Sequence, residues 1–379
     1  MFNTKNRIFS LDVARTIAIL FVVLTHSAAL FPSLNQAYRP LIRYFLGLQG
    51  VELFFVLSGF LIGTILIKTY EQTDNFDFTV VKIFWKKRWF RTLPNYYLFL
   101  AIYYFFAFVK NKALGDGSYL FFLQNFSHEA SDFYDVSWSL CIEEWFYLTL
   151  PLILLFFHTL EKISVLNFLR LKSPLQTLQN FSKQKKVFLS ILTYLLIGFL
   201  IRYIGIFYFN LEKNFDEGVR KVVLYRFDAI PYGVLGAYLH YYYKAECERF
   251  QHHFKIGFCL LFSLYVYILL NFLANENISP IIALYLLPLT DVMFLFFILG
   301  FYKIKTQNKY LIKGVTVISM LSYSVYLLHP LLILAVNQIW LKWQTPVVFN
   351  VFLFWFSTFF LSYLIYIFYE KPFMDYRER

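Results

Sequence analysis

Arg15 and His26 stand eleven residues apart in the run LDVARTIAILFVVLTH. On an α-helix that is about three turns, so both lie on nearly one face with a rise of roughly 16 Å between them. An imidazole so placed can take and return a proton near neutral pH. Arg15 would lie near one edge of a bilayer and His26 towards its middle or far half. Asp12, three residues before Arg15, could hold it. A lone His in an apolar helix can also be a hydrogen-bonded packing residue. The collinear Arg15 and the acids carried by other apolar runs favour chemistry.

Those acids and their neighbours form a set. GVELFFVLSGFLIG carries Glu52, which needs a partner such as His26 or Arg15, or else reaches water as an interfacial carboxylate. KIFWKKRWFRTLPNYY reads as a loop in which Arg88 and Arg91 are spaced i, i+3, with Lys87 adjacent and Pro94 opening the next span. Guanidinium forks match phosphate oxygens bidentately, so the pair suits a phosphorylated ligand. Plain topology marking by basic residues is the alternative, and spacing alone does not exclude it. SWSLCIEEWFYLTLPL places Glu143 and Glu144 about 100° apart on a helix, with Tyr147 one turn from Glu143. A carboxylate facing the interior beside a buried His would orient it and raise its basicity. In LSYSVYLLHP, Ser322, Tyr326 and His329 form one stripe at i, i+4, i+7, which could line a cavity or satisfy helix contacts. Asp228, Arg202, His240 and Asp291 also fall inside apolar runs.

The elements that must position these groups are set by composition. Of 379 residues, 59% are hydrophobic, 22% aromatic and only 15% charged, with 48 Phe and a mean hydropathy of +0.56. An ordinary globular chain is about 25% charged and roughly 45–50% apolar. This composition excludes a soluble enzyme, a secreted disulfide scaffold and a disordered tail. Three cysteines without CxxC spacing (Cys141, Cys247, Cys259) suggest neither a disulfide framework nor a zinc site, and no metal is expected. The class is an all-α polytopic transmembrane helical bundle.

Apolar runs of about 20 residues read at 8–30, 45–67, 93–109, 136–158, 187–209, 226–243, 255–274, 280–302, 315–337 and 347–369. Ten spans put both termini on one side. With the N-terminus in the cytoplasm, most of the 35 Lys and Arg fall in cytoplasmic segments, among them Lys82 to Arg91 and the 159–186 loop. The expected topology is therefore N-in and C-in, and the net charge of +12 marks topology rather than nucleic-acid binding. Lys5 and Arg7 precede an apolar stretch too long, and interrupted by Arg15, to be a signal peptide. The whole of 1–379 reads as a single membrane domain, without repeats and with no soluble domain appended.

With these residues in view, the chain resembles acyltransferase family 3, the bacterial membrane O-acyltransferases that modify surface glycans. LDVARTIAILFVVLTH is similar to the family's amino-terminal signature. GVELFFVLSGFLI, the Arg-x-x-Arg-x-x-Pro of Arg88, Arg91 and Pro94, SWSLCIEEWFYLTLPL, YRFDAIPYGVLGAYL, LSYSVYLLHP and YEKPF follow in order. Each motif is modest; their order over nearly the whole chain carries the likeness. Glu52 stands where Asp is commoner, and Pro330 follows His329 where an aromatic is often found. A carboxy-terminal hydrolase-like domain, borne by some members, is not expected here.

The resemblance implies transfer of an acyl group, by default acetyl, from cytoplasmic acyl-coenzyme A to a hydroxyl of a cell-surface or lipid-linked glycan. Lipopolysaccharide, capsule and peptidoglycan are among the acceptors it allows. It implies a multi-pass protein of the bacterial plasma (inner) membrane. His26 becomes the leading catalytic group, as base or transient acyl carrier, with Arg15 its partner along the face and Glu143 orienting it. Arg88, Arg91 and Lys87 become ligands of acetyl-coenzyme A. Glu52, Asp228, Glu144, Tyr147, Ser322 and His329 become residues of the substrate cavity. Buried acids, a His and an Arg also describe a proton-coupled transporter or exporter of a glycan. Against transport stand the missing repeats and the arginine pair.

Overall fold

The ends of the helices are written in short polar side chains. Asp77 Oδ1 accepts from the Thr79 and Val80 amides at 2.9 and 3.1 Å, and Asn308 Oδ1 accepts from Tyr310 and Leu311 at 3.0 and 3.1 Å. Each satisfies amides that a helix start leaves without partners. Ser279 precedes Pro280, whose fixed φ suits a first helical position. Asn210 at φ 53° closes another helix, and Gln344 at φ 48° closes the one that Asn308 opens, both in the left-handed conformation.

In the computed structural model, residues 7–31, 38–129, 132–160, 182–275 and 278–377 are described. Lys5, Lys162, Arg170, Lys172 and Arg379, counted above among the topology-setting charges, lie outside them. Every regular element among the described residues is helical. The main helices are α1 Phe9–Ser27, α2 Gln49–Gln72, α3 Phe78–Val109, α4 Trp138–Thr159 and α5 Lys183–Phe209. They continue as α6 Pro231–Tyr242, α7 Gln251–Asn275, α8 Pro280–Phe301, α9 Lys309–Trp343 and α10 Val347–Ile365. The chain is an all-α polytopic bundle. Helix α2 is central, with 72% of its apolar stretch buried; α7 is peripheral, with 11%.

Two expectations change. The basic run before Pro94 is not a loop. Capped by Asp77, α3 begins at Phe78 and runs through Pro94, so Arg88 and Arg91 sit one turn apart on one helix face. Pro94 has no N–H to give the Phe90 carbonyl, a loss that a membrane helix packed among neighbours tolerates.

The sixth span, expected at 226–243, is the second change. Among the described residues nine helices are long and apolar enough to cross a membrane, and α6 is not one of them. Its 12 residues rise about 18 Å, short of a hydrocarbon core of about 30 Å. The remaining distance is covered by the 3₁₀ turn at Val223–Arg226 and the bend that follows it; the turns before it, Leu211–Asn214 and Phe215–Arg220, carry the charged loop on the far face. Ile8, Lys68, Lys244 and Tyr302 line one cavity. That shared wall puts the start of α1 and the ends of α2, α6 and α8 on one face, which demands an even number of passes between them. The segment 223–242 is therefore a pass, but a broken one.

Helices α2 and α6 meet backbone to backbone. A Cβ on Gly59 would lie 2.1 Å from the Ile230 carbonyl oxygen, and one on Gly233 would lie 2.0 Å from that of Val56. Neither backbone can yield as a flexible side chain would. Gly233→Ala should therefore lower stability by about 1–3 kcal/mol or more, read as a fall in the melting temperature of the detergent-solubilised protein. Gly314, inside α9 with nothing within 4 Å of a built Cβ, is the control. Gly314→Ala should leave the melting temperature unchanged or raise it.

Candidate active site

Helix α1 carries both ends of the site. Arg15 lines a cavity of about 110 Å³ with Arg88 and Arg91 of α3, Glu143 of α4, and Ser58 of α2. His26 lines a second cavity of about 430 Å³, with Asp135, Trp138, Arg43, Arg220 and Lys221. Val51 and Tyr326 line both. The two cavities thus share one wall, the constriction between them, with Arg15, Arg88 and Arg91 on one side and the His26 imidazole on the other.

In the arginine cavity three guanidiniums face one carboxylate. Arg88 donates to Glu143 Oε2 at 3.2 Å, and its guanidinium lies 4.1 Å from the centre of the Tyr147 ring. Tyr147 Oη donates to Glu143 Oε2 at 3.0 Å and is bonded to Ser58 Oγ. This fixes the Arg88 fork in one orientation. Arg15 has no ion pair or hydrogen bond among the described residues. Asp12, expected to hold it, is taken by Arg7, through Nε at 2.8 Å and Nη2 at 2.5 Å, and by Ser319 Oγ at 2.8 Å. The reason is helical phase: Asp12 faces α9, whereas Arg15 faces the cavity. The surplus of positive charge suits an anion.

In the other cavity, His26 Nδ1 lies 2.9 Å from the Val22 carbonyl oxygen. A carbonyl only accepts, so Nδ1 carries the proton and Nε2 is left as the basic nitrogen. His329 packs edge-on against this ring, centroids 4.7 Å apart, and its own Nδ1 donates to Val325 O at 3.1 Å. The stripe read from LSYSVYLLHP therefore has a use: Ser322 lines the arginine cavity, Tyr326 the constriction, and His329 backs His26. Tyr326 Oη is held by Ser139 Oγ at 2.7 Å and by the Val136 carbonyl at 3.0 Å.

Other expected members lie elsewhere. Glu143 does not touch His26; its partners are Arg88 and Tyr147, on the opposite side of the constriction. Glu144 is buried beside Thr92 and Trp89 rather than in the cavity wall. Lys87 is exposed and lines neither of these two cavities. Glu52 and Asp228 are also absent from both walls. Arg226 grips Glu52 through Nη1 at 3.1 Å and through Nη2, and lies 3.8 Å from Asp291. Arg202 grips Asp228 at 2.8 and 2.6 Å and donates to the Leu284 carbonyl at 3.2 Å. All four paired side chains are essentially solvent-free.

Sequence reasoning missed Asp135, Arg220 and Lys221 around His26. Lys221 pairs with Asp135 at 3.0 Å and with Glu217 at 2.8 Å. Arg220 reaches Asp216 at 2.5 Å and covers Trp138, 4.6 Å from its ring centre. Burial alone would push Asp216 up, but Arg220, Arg43 and Lys221 outweigh it and hold its carboxyl well below the usual range. The signal available was the adjacent Arg220–Lys221 pair on the side expected to be poor in positive charge.

The family's sequence profile, described as an acyltransferase domain, matches residues 8–368. The chain belongs to acyltransferase family 3. Among its relatives, the peptidoglycan O-acetyltransferase OatA of Listeria monocytogenes is 30% identical over 165 residues, 39% of this chain and 24% of the relative. The putative peptidoglycan O-acetyltransferase YrhL of Bacillus subtilis is 34% identical over 161 residues, 38% of this chain and 23% of the relative. The O-acetyltransferase OatA of Staphylococcus aureus is 32% identical over 126 residues, 29% of this chain and 20% of the relative. The chain thus aligns with a quarter or less of each of these relatives' length. No solved structure matches it.

The ion pairs of this family member separate structure from chemistry. Glu52→Gln or Arg226→Met alone leaves a buried charge uncompensated and should cost about 3–5 kcal/mol. The double variant should recover much of that, read by thermal melting in detergent. The Asp216 pairs behave differently with acid. Their carboxyl is depressed in the fold, so their stabilisation is full above the unfolded carboxylate range and lost only as pH falls through it. Asp216→Asn should therefore cost stability at pH 7 and progressively less in melts taken down to pH 3.

Proposed function

We propose that this family member is a membrane-embedded O-acyltransferase of the bacterial plasma membrane. It moves an acetyl group from acetyl-coenzyme A to a hydroxyl of a cell-envelope glycan. One observation carries the reading: α1 holds Arg15 in a cationic cavity and His26 in a second cavity, and the two share only Val51 and Tyr326. A donor rich in phosphate enters at Arg15, Arg88 and Arg91, from the face taken as cytoplasmic. Its thioester reaches the constriction, where an acceptor in the other cavity meets it. The relatives' names make peptidoglycan the first acceptor to test.

The chemistry needs one base. His26 Nε2 takes the proton from the acceptor hydroxyl as its oxygen attacks the thioester carbon. The carbon–sulfur bond then breaks, and the departing thiolate takes the proton back from the imidazolium. Negative charge developing on the carbonyl oxygen needs a donor, and the Tyr326 hydroxyl, at the shared wall, supplies it by exchanging its bond to the Val136 carbonyl for one to that oxygen. His329 positions the His26 ring. Glu143 and Tyr147 act on the donor side by holding Arg88, and Arg220 and Lys221 with Asp135 offer polar groups to a sugar.

Membranes bearing wild type or a variant, given labelled acetyl-coenzyme A and cell-envelope glycan, test this reading. His26→Ala should lower base-labile label in glycan at least about a hundredfold while coenzyme A binding persists. Arg88→Ala should raise the KM for the donor about tenfold or more. Equal labelling by wild type and His26→Ala would remove His26 from the chemistry. Glycan flux without labelling would replace acyl transfer with transport.

A further inference from the structure

The groove that holds Arg15 continues past it. A third cavity, of about 440 Å³, shares Leu61 and Ile65 of α2 with the arginine cavity. Leu11 of α1 and Ile8, its N-cap, continue the wall one and two turns before Arg15, and Lys68 continues it along α2. Lys244, following α6, closes the opposite side. Neither Lys68 nor Lys244 has a hydrogen bond or ion pair among the described residues. Glu248, an acid on the next short helix, is engaged by Lys303 at 3.0 Å.

Between the two lysines lies an aromatic floor. His240 and Tyr302 have ring centroids 4.1 Å apart, and Phe60 lies 5.9 Å from the first and 5.8 Å from the second. The rings are tilted 47–54° to one another rather than stacked on each other, and aromatic faces flanked by two uncommitted ammonium groups match a purine base carrying a phosphate monoester, whose charge is about −2 at neutral pH.

We propose that this third cavity is a nucleotide subsite. It takes the 3′-phosphoadenosine end of coenzyme A, with the adenine on His240 and Tyr302 and the ribose phosphate between Lys68 and Lys244. This rests on the acyl-coenzyme A reading above and divides the donor along one groove. The arginine cavity, with three guanidiniums against one carboxylate, takes the diphosphate; the lysines take the monoester. Leu61 and Ile65 form the shared wall between them.

The test compares acetyl-coenzyme A with its analogue lacking the ribose phosphate, on protein in nanodiscs of phosphatidylcholine alone. With wild type, removing that phosphate should raise the KM about tenfold. In Lys68→Gln/Lys244→Gln the two donors should have KM values within about twofold of each other, and Lys68→Arg/Lys244→Arg should restore the preference. A double Gln variant that still prefers acetyl-coenzyme A tenfold would overturn the proposal. So would an equal rise in KM for both donors, or a loss of preference that appears only when anionic lipid is present, which would make the occupant a lipid headgroup. Wild type that uses neither donor would sink the acyl-coenzyme A reading itself, an outcome distinct from a subsite failure.

Discussion

Two guanidiniums, Arg226 and Arg202, sit in the dry centre of the bundle, and each is clasped in two places by a carboxylate. A charge at that depth is expensive unless it is paired and its remaining donors are filled. The pairs do more than cancel charge. Glu52 belongs to α2, Arg202 to α5, and both of their partners, Arg226 and Asp228, to the turn leading into α6. The broken pass is thereby tied to the centre of the fold. Irregular backbone is tolerated at membrane depth only where protein surrounds it, and the two clasps together with the Gly59–Gly233 contact supply that surrounding. Asp291, 3.8 Å from Arg226, brings α8 into the same cluster.

With α2 so fixed, α1 and α9 can pack on it and leave spaces rather than close them. Val51, Ser58, Leu61 and Ile65 of α2 turn the face opposite these pairs towards the cavities. Helix α1 then acts as a ruler. Its eleven-residue spacing sets Arg15 and His26 about three turns apart, one on each side of the constriction. Three guanidiniums against one carboxylate lie on one side; on the other the imidazole sits among both signs of charge, Arg43, Arg220 and Lys221 with Asp135 and Glu217. That separation suits a donor and an acceptor that approach from different faces.

What the sequence disclosed was periodic. Apolar runs marked the spans, the phase of Arg15 and His26 placed both on one face, and the Ser322–Tyr326–His329 stripe pointed along the cavity wall. Choice of partner was not legible. Asp12 is as near to Arg15 in sequence as a helical pair can be, yet Arg7 reaches it first because Asp12 faces α9. Glu143 sits a helix away from His26, and its nearest cation proved to be Arg88. Periodicity states which face a residue occupies and leaves open which neighbour covers that face. The broken sixth pass escaped in part: Pro231 within YRFDAIPYGVLGAYL opens the helix afresh, whereas the pairing that holds Arg226 and Asp228 before it is tertiary. Asp135 and Arg220 lie in single 3₁₀ and π turns, with Lys221 just beyond, too short for a period to be read.

The central claim is that one groove system joins opposite faces at Val51 and Tyr326, so that donor and acceptor come from different sides. Sidedness in oriented proteoliposomes tests it most directly, with labelled acetyl-coenzyme A confined to one compartment and glycan acceptor to the other. The account predicts acetylated acceptor only when the donor is on the face bearing Arg88 and Arg91 and the acceptor is on the face bearing Arg220 and Lys221. Equal transfer with donor and acceptor confined to the same face would contradict it.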